Sequence, residues 1–461
     1  MRENRLLLQH AGTVLVGQLA VMAFGVTDTL IAGRYSPQAL AVLALATSLY
    51  VSIYVALNGV LQALLPVWAQ LHGAGKPRAL GRSVRQALYL AALLLGVGGV
   101  ILGFPQPWLH WADVPPRLWP EVQSYLRVLA LALGPSLGFR MYGTLNQSLG
   151  LPRLVTVLQA AGLLVKVPLS VLLTFGIGRW EGLGVVGCAW ATLIVQILML
   201  STGLVLLRTQ EVYTPLRLWR RPEGPDITQL RHFLRLGLPA GLSVMVEVTS
   251  FTLMTLFIAR MGETALASHQ IAANLAAVLY MMPLAMGIAA SARTGYWLGA
   301  GAPAQARDTA RRGLKLAMIG AVASAGVLVA LRQPLAQAFS ADAAVATAAA
   351  SWLLWVALYH LADAAQTVCV FLLRCYGITL SPLLIYTAVL WGVGLYGGYQ
   401  LAYRGLGAWP AAPSVSSFWI TSVLALVLVA VLFVWRLHRA LHRPRSAGRS
   451  ERSDKRSAGH G

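Results

Sequence analysis

The stretch AGLSVMVEVTSFTLMTLFIA, residues 240–259, decides how the rest of the chain is read. It has the length a helix needs to cross the hydrocarbon of a bilayer, about 20 residues at about 1.5 Å each. Its single ionisable group is Glu247, about midway along. A carboxylate at that depth costs about 3 kcal/mol on insertion scales, so it is kept there for an ion path, a proton path or a partner charge. Only two more of the fifteen acidic residues lie inside long apolar segments. They are Asp28 in AVMAFGVTDTLIAG (20–33) and Asp363 in LYHLADAAQTVCVFLL (358–373).

Composition agrees with a membrane reading. The 461 residues are 57% hydrophobic and 11% charged, against about 25% charged in a soluble domain. Twelve spans are expected, near 10–33, 42–66, 84–104, 122–149, 154–176, 184–207, 234–259, 264–296, 308–331, 345–376, 380–402 and 414–435. The basic start, MRENRLLLQH, precedes an apolar run too long for a signal core and without a clear A-x-A end, so it reads as the first span. A net charge of +21 suggests nucleic acid at first sight. The Lys and Arg residues cluster between alternate spans, however, as the positive-inside rule requires, and no nucleic-acid partner is expected. Placing both termini in the cytoplasm puts Arg2 and Arg5, Lys76 to Arg85, Arg208 to Arg235 and Arg307 to Lys315 on one side, with few basic residues opposite. Cys188, Cys369 and Cys375 have neither disulfide-framework nor zinc-site spacing and are assigned to packing.

The two halves repeat. HGAGKPRALGRSVRQAL (72–88) aligns with LGAGAPAQARDTARRGL (298–314), setting Gly73, Gly75 and Pro77 on Gly299, Gly301 and Pro303. GLGVVG from Gly182 aligns in the same order with GLGAWP from Gly405. An even number of spans per half makes the repeat parallel, related by an axis along the membrane normal, with a cavity between two six-helix bundles. The expected organisation is an N-terminal lobe over 1–207, an inter-lobe loop over 208–231, a C-terminal lobe over 232–435 and a basic tail over 436–461, disordered in its second half and able to touch anionic lipid.

Soluble-enzyme motifs fail. GAGKP (73–77) lacks the first glycine of a phosphate loop, and Pro77 stands where Ser or Thr is needed. The glycine patterns from Gly182 and from Gly392 match a dinucleotide fingerprint by letters but follow no strand, so they read as helix starts or close helix packing. No H-E-x-x-H pair occurs. Neither an enzyme nor a cofactor is expected.

The buried charges carry the functional reading, each beside a plainer one. Asp28 is either a cavity-facing ion or proton carboxylate or an interfacial side chain that snorkels. Glu247 is either an ion site or half of a structural ion pair. Asp363 has Tyr359 one turn before it on the same face. Oxygen ligands of this kind suit a hard cation, and two carboxylates close together also hold a proton between them. The coupling ion, Na⁺ or H⁺, stays open. Lys166, in GLLVKVPLSVLL, is the single mid-span lysine; Asp28 is its natural partner, either as a static pair or as a protonation switch. Met254, Tyr280, Met281, Met282, Met286 and Trp391 either line a cavity for flat organic cations or pack against lipid and other helices.

VTDTLIAG (26–33), QLHGAGKP (70–77), LRLGLPAGLSVMVEVTSF (234–251), ASHQIAANL (267–275) and YHLADAAQTVCVFLLRCYG (359–377) resemble the multidrug and toxic compound extrusion (MATE) family, most nearly its bacterial NorM-like branch. The resemblance covers about residues 10 to 440, with the motifs in order. It implies an all-α polytopic membrane protein with twelve transmembrane helices in two pseudo-symmetric lobes shaped like a V, exporting cationic amphipathic drugs and dyes in exchange for Na⁺ or H⁺. The family's first-helix carboxylate falls on Asp28. Its C-lobe cation site falls on Glu247, Tyr359 and Asp363, with Glu247 and Asp363 as metal ligands if the ion is Na⁺. The N-lobe departs from the pattern: Lys166 stands where many relatives carry asparagine, and Asn146 where some carry aspartate. A lysine beside Asp28 repels Na⁺, so the N-lobe is expected to handle protons or to be locked.

The reading is therefore a cation-coupled multidrug antiporter working by alternating access. It is a multi-pass protein of the bacterial inner membrane and a monomer, with small cationic drugs and membrane lipid as partners. Cation or proton binding falls to Glu247, Asp363, Tyr359 and Asp28, and substrate contact or coupling to Lys166, Asn146, Met282 and Met286. A flippase for a lipid-linked precursor or polysaccharide, of related fold, is the alternative; it would favour a strongly cationic cavity. A non-transporting receptor or scaffold would leave the carboxylates structural.

Overall fold

A computed structural model of the chain describes residues 2–111, 115–179, 181–221, 223–405, 411 and 413–442. Helices dominate. The long ones are α1 (Arg2–Tyr35), α2 (Pro37–Gly73), α3 (Pro77–Gly103), α4 (Trp119–Ser148), α5 (Pro152–Phe175), α6 (Val186–Thr209), α7 (Ile227–Ala259), α8 (Glu263–Gly299), α9 (Pro303–Ala330), α10 (Ala343–Cys375), α11 (Leu380–Arg404) and α12 (Val415–His442). All but α4 are long and apolar enough to cross a membrane. α4 carries Glu121, Arg127 and Arg140 and is largely buried among its neighbours. The chain is thus a polytopic all-helical membrane protein.

The helices outrun the expected spans. α1 begins at Arg2 rather than near residue 10, and α12 runs through His442 into what reads as the start of the tail. Hydropathy marks only the part of a helix inside the hydrocarbon, and charged ends extend it into water. Residues 406–410, which hold most of the second GLGAWP match, and the tail from 443 lie outside the described residues.

Helix boundaries follow local chemistry. Gly75, Gly150 and Gly301 take positive φ of 66°, 76° and 71°, which costs a residue without Cβ little. Two residues later Pro77, Pro152 and Pro303 open α3, α5 and α9, where the absent N–H is no loss. Side chains cap other starts. Ser36 Oγ accepts from Ala39 N at 3.0 Å, and Asp342 Oδ1 from Ala344 N at 2.8 Å. Pro66 interrupts α2 with a turn at Ala63 and Leu64. Pro239 frees the Arg235 carbonyl, which accepts instead from Thr379 Oγ1 at 3.4 Å. From Thr387 to Tyr396 α11 widens to a π-helix.

Two large cores form. One draws on residues between Ile31 and Phe233, around Trp68, Tyr125 and Leu133. The other lies mostly between Met254 and Leu441, around Phe371, Trp419 and Phe433. α10 runs through the second, packed by α8, α9 and α12. Between the halves, α1 packs on α8 and α2 on α7, pairings that exchange under the sequence repeat. The contact is reciprocal in detail. A Cβ at Gly73 would collide with the Tyr296 carbonyl, and one at Gly299 with the Gln70 carbonyl, the register that aligns Gly73 with Gly299. The same two-fold logic therefore governs sequence and packing.

The segment joining the halves is docked on α3 and α4. Tyr213 OH donates to Asn146 Oδ1 at 2.6 Å. Arg85 donates to the Arg217 carbonyl at 2.8 Å and pairs with Glu223 at 2.9 Å. Gln86 donates to the Gly224 carbonyl at 2.9 Å and accepts from Asp226 N at 2.8 Å.

Candidate functional site: an inter-lobe cavity with a carboxylate pair

A cavity of about 540 Å³ lies between the two halves. The N-terminal half contributes Gln18, Tyr54, Asn58, Gln62 and Arg140; the C-terminal half contributes Glu247, Tyr280, Tyr359, Asp363, Arg374 and Tyr386, among others. On α8 the lining residues are Ala273, Ala276, Ala277, Tyr280, Met281 and Leu284, one stripe at helical spacing.

Glu247 on α7 and Asp363 on α10 are brought together by one side chain. The Gln366 amide nitrogen donates to Asp363 Oδ1 at 2.8 Å and to Glu247 Oε1 at 3.1 Å. Thr367 Oγ1 adds a contact to Asp363 Oδ1 at 3.4 Å. Tyr386 OH, from α11, donates to Gln366 Oε1 and so fixes which face of the amide points at the acids. Residues 363, 366 and 367 share one face of α10, as i, i+3, i+4 spacing dictates. Tyr359, one turn earlier, lines the cavity and also a small annex shared with Glu247 and Met254. Its ring is edge-on to Phe251 and Trp419, with centroids 5.5 and 6.0 Å away.

The cavity also holds two guanidinium groups. Arg374 sits over the Phe371 ring at 4.6 Å, and Arg140 enters from α4. Among the described residues, Asn58 Oδ1, Gln62 Nε2, Arg140 Nε and Arg374 Nη1 are buried atoms without a hydrogen-bond partner. Buried polar atoms are seldom left so, and here four of them face one cavity.

Asp28 lies elsewhere. It is absent from the cavity wall and pairs with Lys166 of α5, Nζ to Oδ1 at 2.9 Å. Lys166 is fully buried and also donates to Thr192 Oγ1 of α6 at 2.7 Å. The pair closes a polar knot inside the N-terminal half instead of facing the space between the halves. Asn146 is also off the cavity: Oδ1 accepts from Tyr213 and Nδ2 donates to the Tyr142 carbonyl at 2.9 Å. Of the methionines, Met281 faces the cavity. Met282 packs on Gly320 of α9, and Met286 is buried in the C-terminal core. The three free cysteines are buried, as expected of packing residues.

The residues that sequence reasoning missed are Gln366, Thr367, Arg374 and Tyr386. Gln366 had a legible signal, since it is an amide one turn after a buried acid. Arg374 lies at the end of a span and read as an ordinary flanking charge.

A helical membrane protein with a charged, aromatic-lined cavity between two related halves has the build of a secondary transporter. The MatE family profile matches residues 14–172 and again 239–399, once in each half. The probable multidrug resistance protein NorM of Aromatoleum aromaticum is 38% identical over 95% of both chains. The multidrug resistance protein PmpM of Pseudomonas aeruginosa is 34% identical over 96% of this chain and 92% of its own. The chain belongs to the MATE family and is NorM-like. In fold it superimposes on the crystal structure of the eukaryotic MATE transporter AtDTX14 with a TM-score of 0.84 at 18% identity, covering 96% of this chain and 99% of that one. The Vibrio cholerae MATE transporter VcmN in its bent form also gives 0.84 at 18% identity, covering 95% and 97%.

Proposed function

We propose that the protein is a multidrug efflux antiporter that exports amphipathic organic cations in exchange for Na⁺ or H⁺. The observation that carries this reading is the carboxylate pair on the cavity wall, Glu247 and Asp363, held by the single Gln366 amide. Two acids that share one neutral donor keep spare negative charge at depth. A metal cation or a proton satisfies it, and so does the positive end of a drug. Ion and drug then compete, and each shifts the population that the other favours. Six aromatic rings around the same space (Tyr54, Phe251, Tyr280, Tyr359, Phe371 and Tyr386) suit a flat cation.

The N-terminal lobe does not take the ion in this mechanism. Lys166 already neutralises Asp28, so a metal cation would have to displace a buried ammonium. The pair acts as a lock on α1, α5 and α6. The lobes divide at the 208–231 segment and rock about the α2–α8 contact. Both termini face the cytoplasm of a bacterium, and the protein works as a monomer in its inner membrane.

A lipid-linked-precursor flippase is the second reading, and Arg140 and Arg374 are what favour it. The paired acids beside them speak against a phosphate-rich cargo. Reconstituted protein tests both. Ethidium efflux from proteoliposomes is expected under an imposed Na⁺ or pH gradient and is expected to vanish in Glu247→Gln and in Asp363→Asn. Efflux that neither gradient drives would remove the antiporter reading.

A further inference from the structure

A groove of about 1020 Å³ lies outside the central cavity, where the start of α7 meets the turn between α10 and α11. One wall carries Arg231, His232 and Arg235, all exposed. None of the three has a side-chain ion pair or hydrogen bond among the described residues. The other wall is apolar, with Leu238 half exposed beside Pro239 and Leu380. Between them the Ser381 hydroxyl is out of solvent and lacks a hydrogen-bond partner among the described residues.

Depth sets the chemistry. Arg235 precedes Glu247 by three turns and a third, about 18 Å along the helix. The hydrocarbon is about 30 Å thick, so with Glu247 near its middle the guanidinium reaches the headgroup level while Leu238, nine residues from Glu247, lies at the level of acyl chains; Leu380 follows Thr379, whose hydroxyl bonds the Arg235 carbonyl, and stands at the rim. Cationic and hydroxyl groups on the wet side and an apolar trough on the dry side match a phosphate joined to a hydrocarbon chain. The cluster is not inherited from the repeat. The register that sets Gly73 on Gly299 sets Leu6 and Gln9 on His232 and Arg235, leaving only Arg5 opposite Arg231.

We propose that this groove binds an anionic diacyl phospholipid, its phosphate on Arg231 and Arg235 and one acyl chain along Leu238, Pro239 and Leu380. α7 and α11, which wall the groove, carry Glu247 and Tyr386, and the turn between them follows α10 with Asp363, so bound lipid braces the helices that hold the proposed ion site.

The test uses purified full-length protein stripped of lipid in a nonionic detergent, with thermal unfolding followed during titration. Phosphatidylglycerol is expected to raise the unfolding temperature, while phosphatidylcholine and inorganic phosphate are not. Arg231→Gln with Arg235→Gln, exposed positions without partners, is expected to raise the phosphatidylglycerol concentration for half effect by about thirtyfold, two contacts of the usual size for basic groups at an anionic headgroup. Arg307→Gln with Arg311→Gln, at the start of α9 and outside the groove, is expected to keep the wild-type titration. Each of these results would overturn the proposal: equal loss in the α9 control, which means diffuse attraction; no loss in the groove variant; or equal stabilisation by phosphatidylcholine. Stabilisation by inorganic phosphate alone would place a free anion in the groove and would likewise overturn the lipid assignment.

Discussion

At the scale of residues, the site turns on Gln366, an uncharged side chain. Its one amide serves two carboxylates, and Tyr386 fixes its orientation. Gln366→Leu takes the shared donor from both acids and leaves more of their negative charge unsatisfied, so it is expected to tighten proton or cation binding by about ten- to a hundredfold, the equivalent of about 1.5–3 kcal/mol for hydrogen bonds to charged groups. The ion concentration that half-drives efflux measures it. Lys166 answers to different physics. Removing one member of a buried pair strands the other, at about 3–5 kcal/mol, whereas replacing both is close to neutral. Lys166→Met is expected to lower the unfolding temperature sharply in detergent. Asp28→Asn combined with Lys166→Met is expected to recover most of that loss while leaving ion-driven efflux in place. The pairing of Lys166 with Asp28 was legible in the sequence, because the single mid-span lysine stood in the same half as a mid-span acid. The link from Glu247 to Asp363 through Gln366 was not, because polar neutral residues are common in spans and carry no mark of which neighbour they face.

At the scale of elements, the close crossing of α2 and α8 rests on small residues. Gly73 and Gly299 each lie against a backbone carbonyl of the other helix. A methyl there cannot be accommodated by a side-chain rotation, so the helices must separate. Gly299→Ala is expected to destabilise the closed contact by about 1–3 kcal/mol, the usual cost of overpacking. A spin-label distance between the ends of α2 and α8 would show the separation directly. The GAG-x-P repeats announced these glycines in the sequence, but not that each one seats against the other's helix. That required the two halves to be placed about their common axis.

At the scale of the molecule, the halves are also tied together by polar contacts outside the cavity wall. Glu3 takes two bonds from Arg293, at 3.0 and 2.8 Å, and one from Trp297 Nε1 at 3.2 Å. Nearby, Gln70 Nε2 donates to the Cys375 carbonyl at 2.8 Å. The lobe rocking proposed above would have to break these bonds. Cys375 is buried at that seam and bonded to Ser291, which makes it a built-in reporter. In a Cys188→Ser, Cys369→Ser background, Glu3→Gln is expected to speed maleimide labelling of Cys375 by up to about fivefold, the equivalent of about 1 kcal/mol for a partly exposed ion pair. Unchanged labelling would mean that the Glu3 contacts do not hold the seam.

The sequence by itself determined that the chain crosses the membrane many times, that its halves repeat, and that three acids and a lysine lie inside long apolar segments. Those are properties of composition and spacing along the chain, and burial in hydrocarbon reads them directly. Only the tertiary structure decided that Glu247 and Asp363 share a cavity while Asp28 is shut away with Lys166. It also showed that Asn146 docks the inter-lobe segment and that Arg374 reaches the cavity. Depth is fixed by position within a span, but the direction a side chain faces is fixed by each helix's rotation and crossing against its neighbours, and no local pattern in the sequence records that.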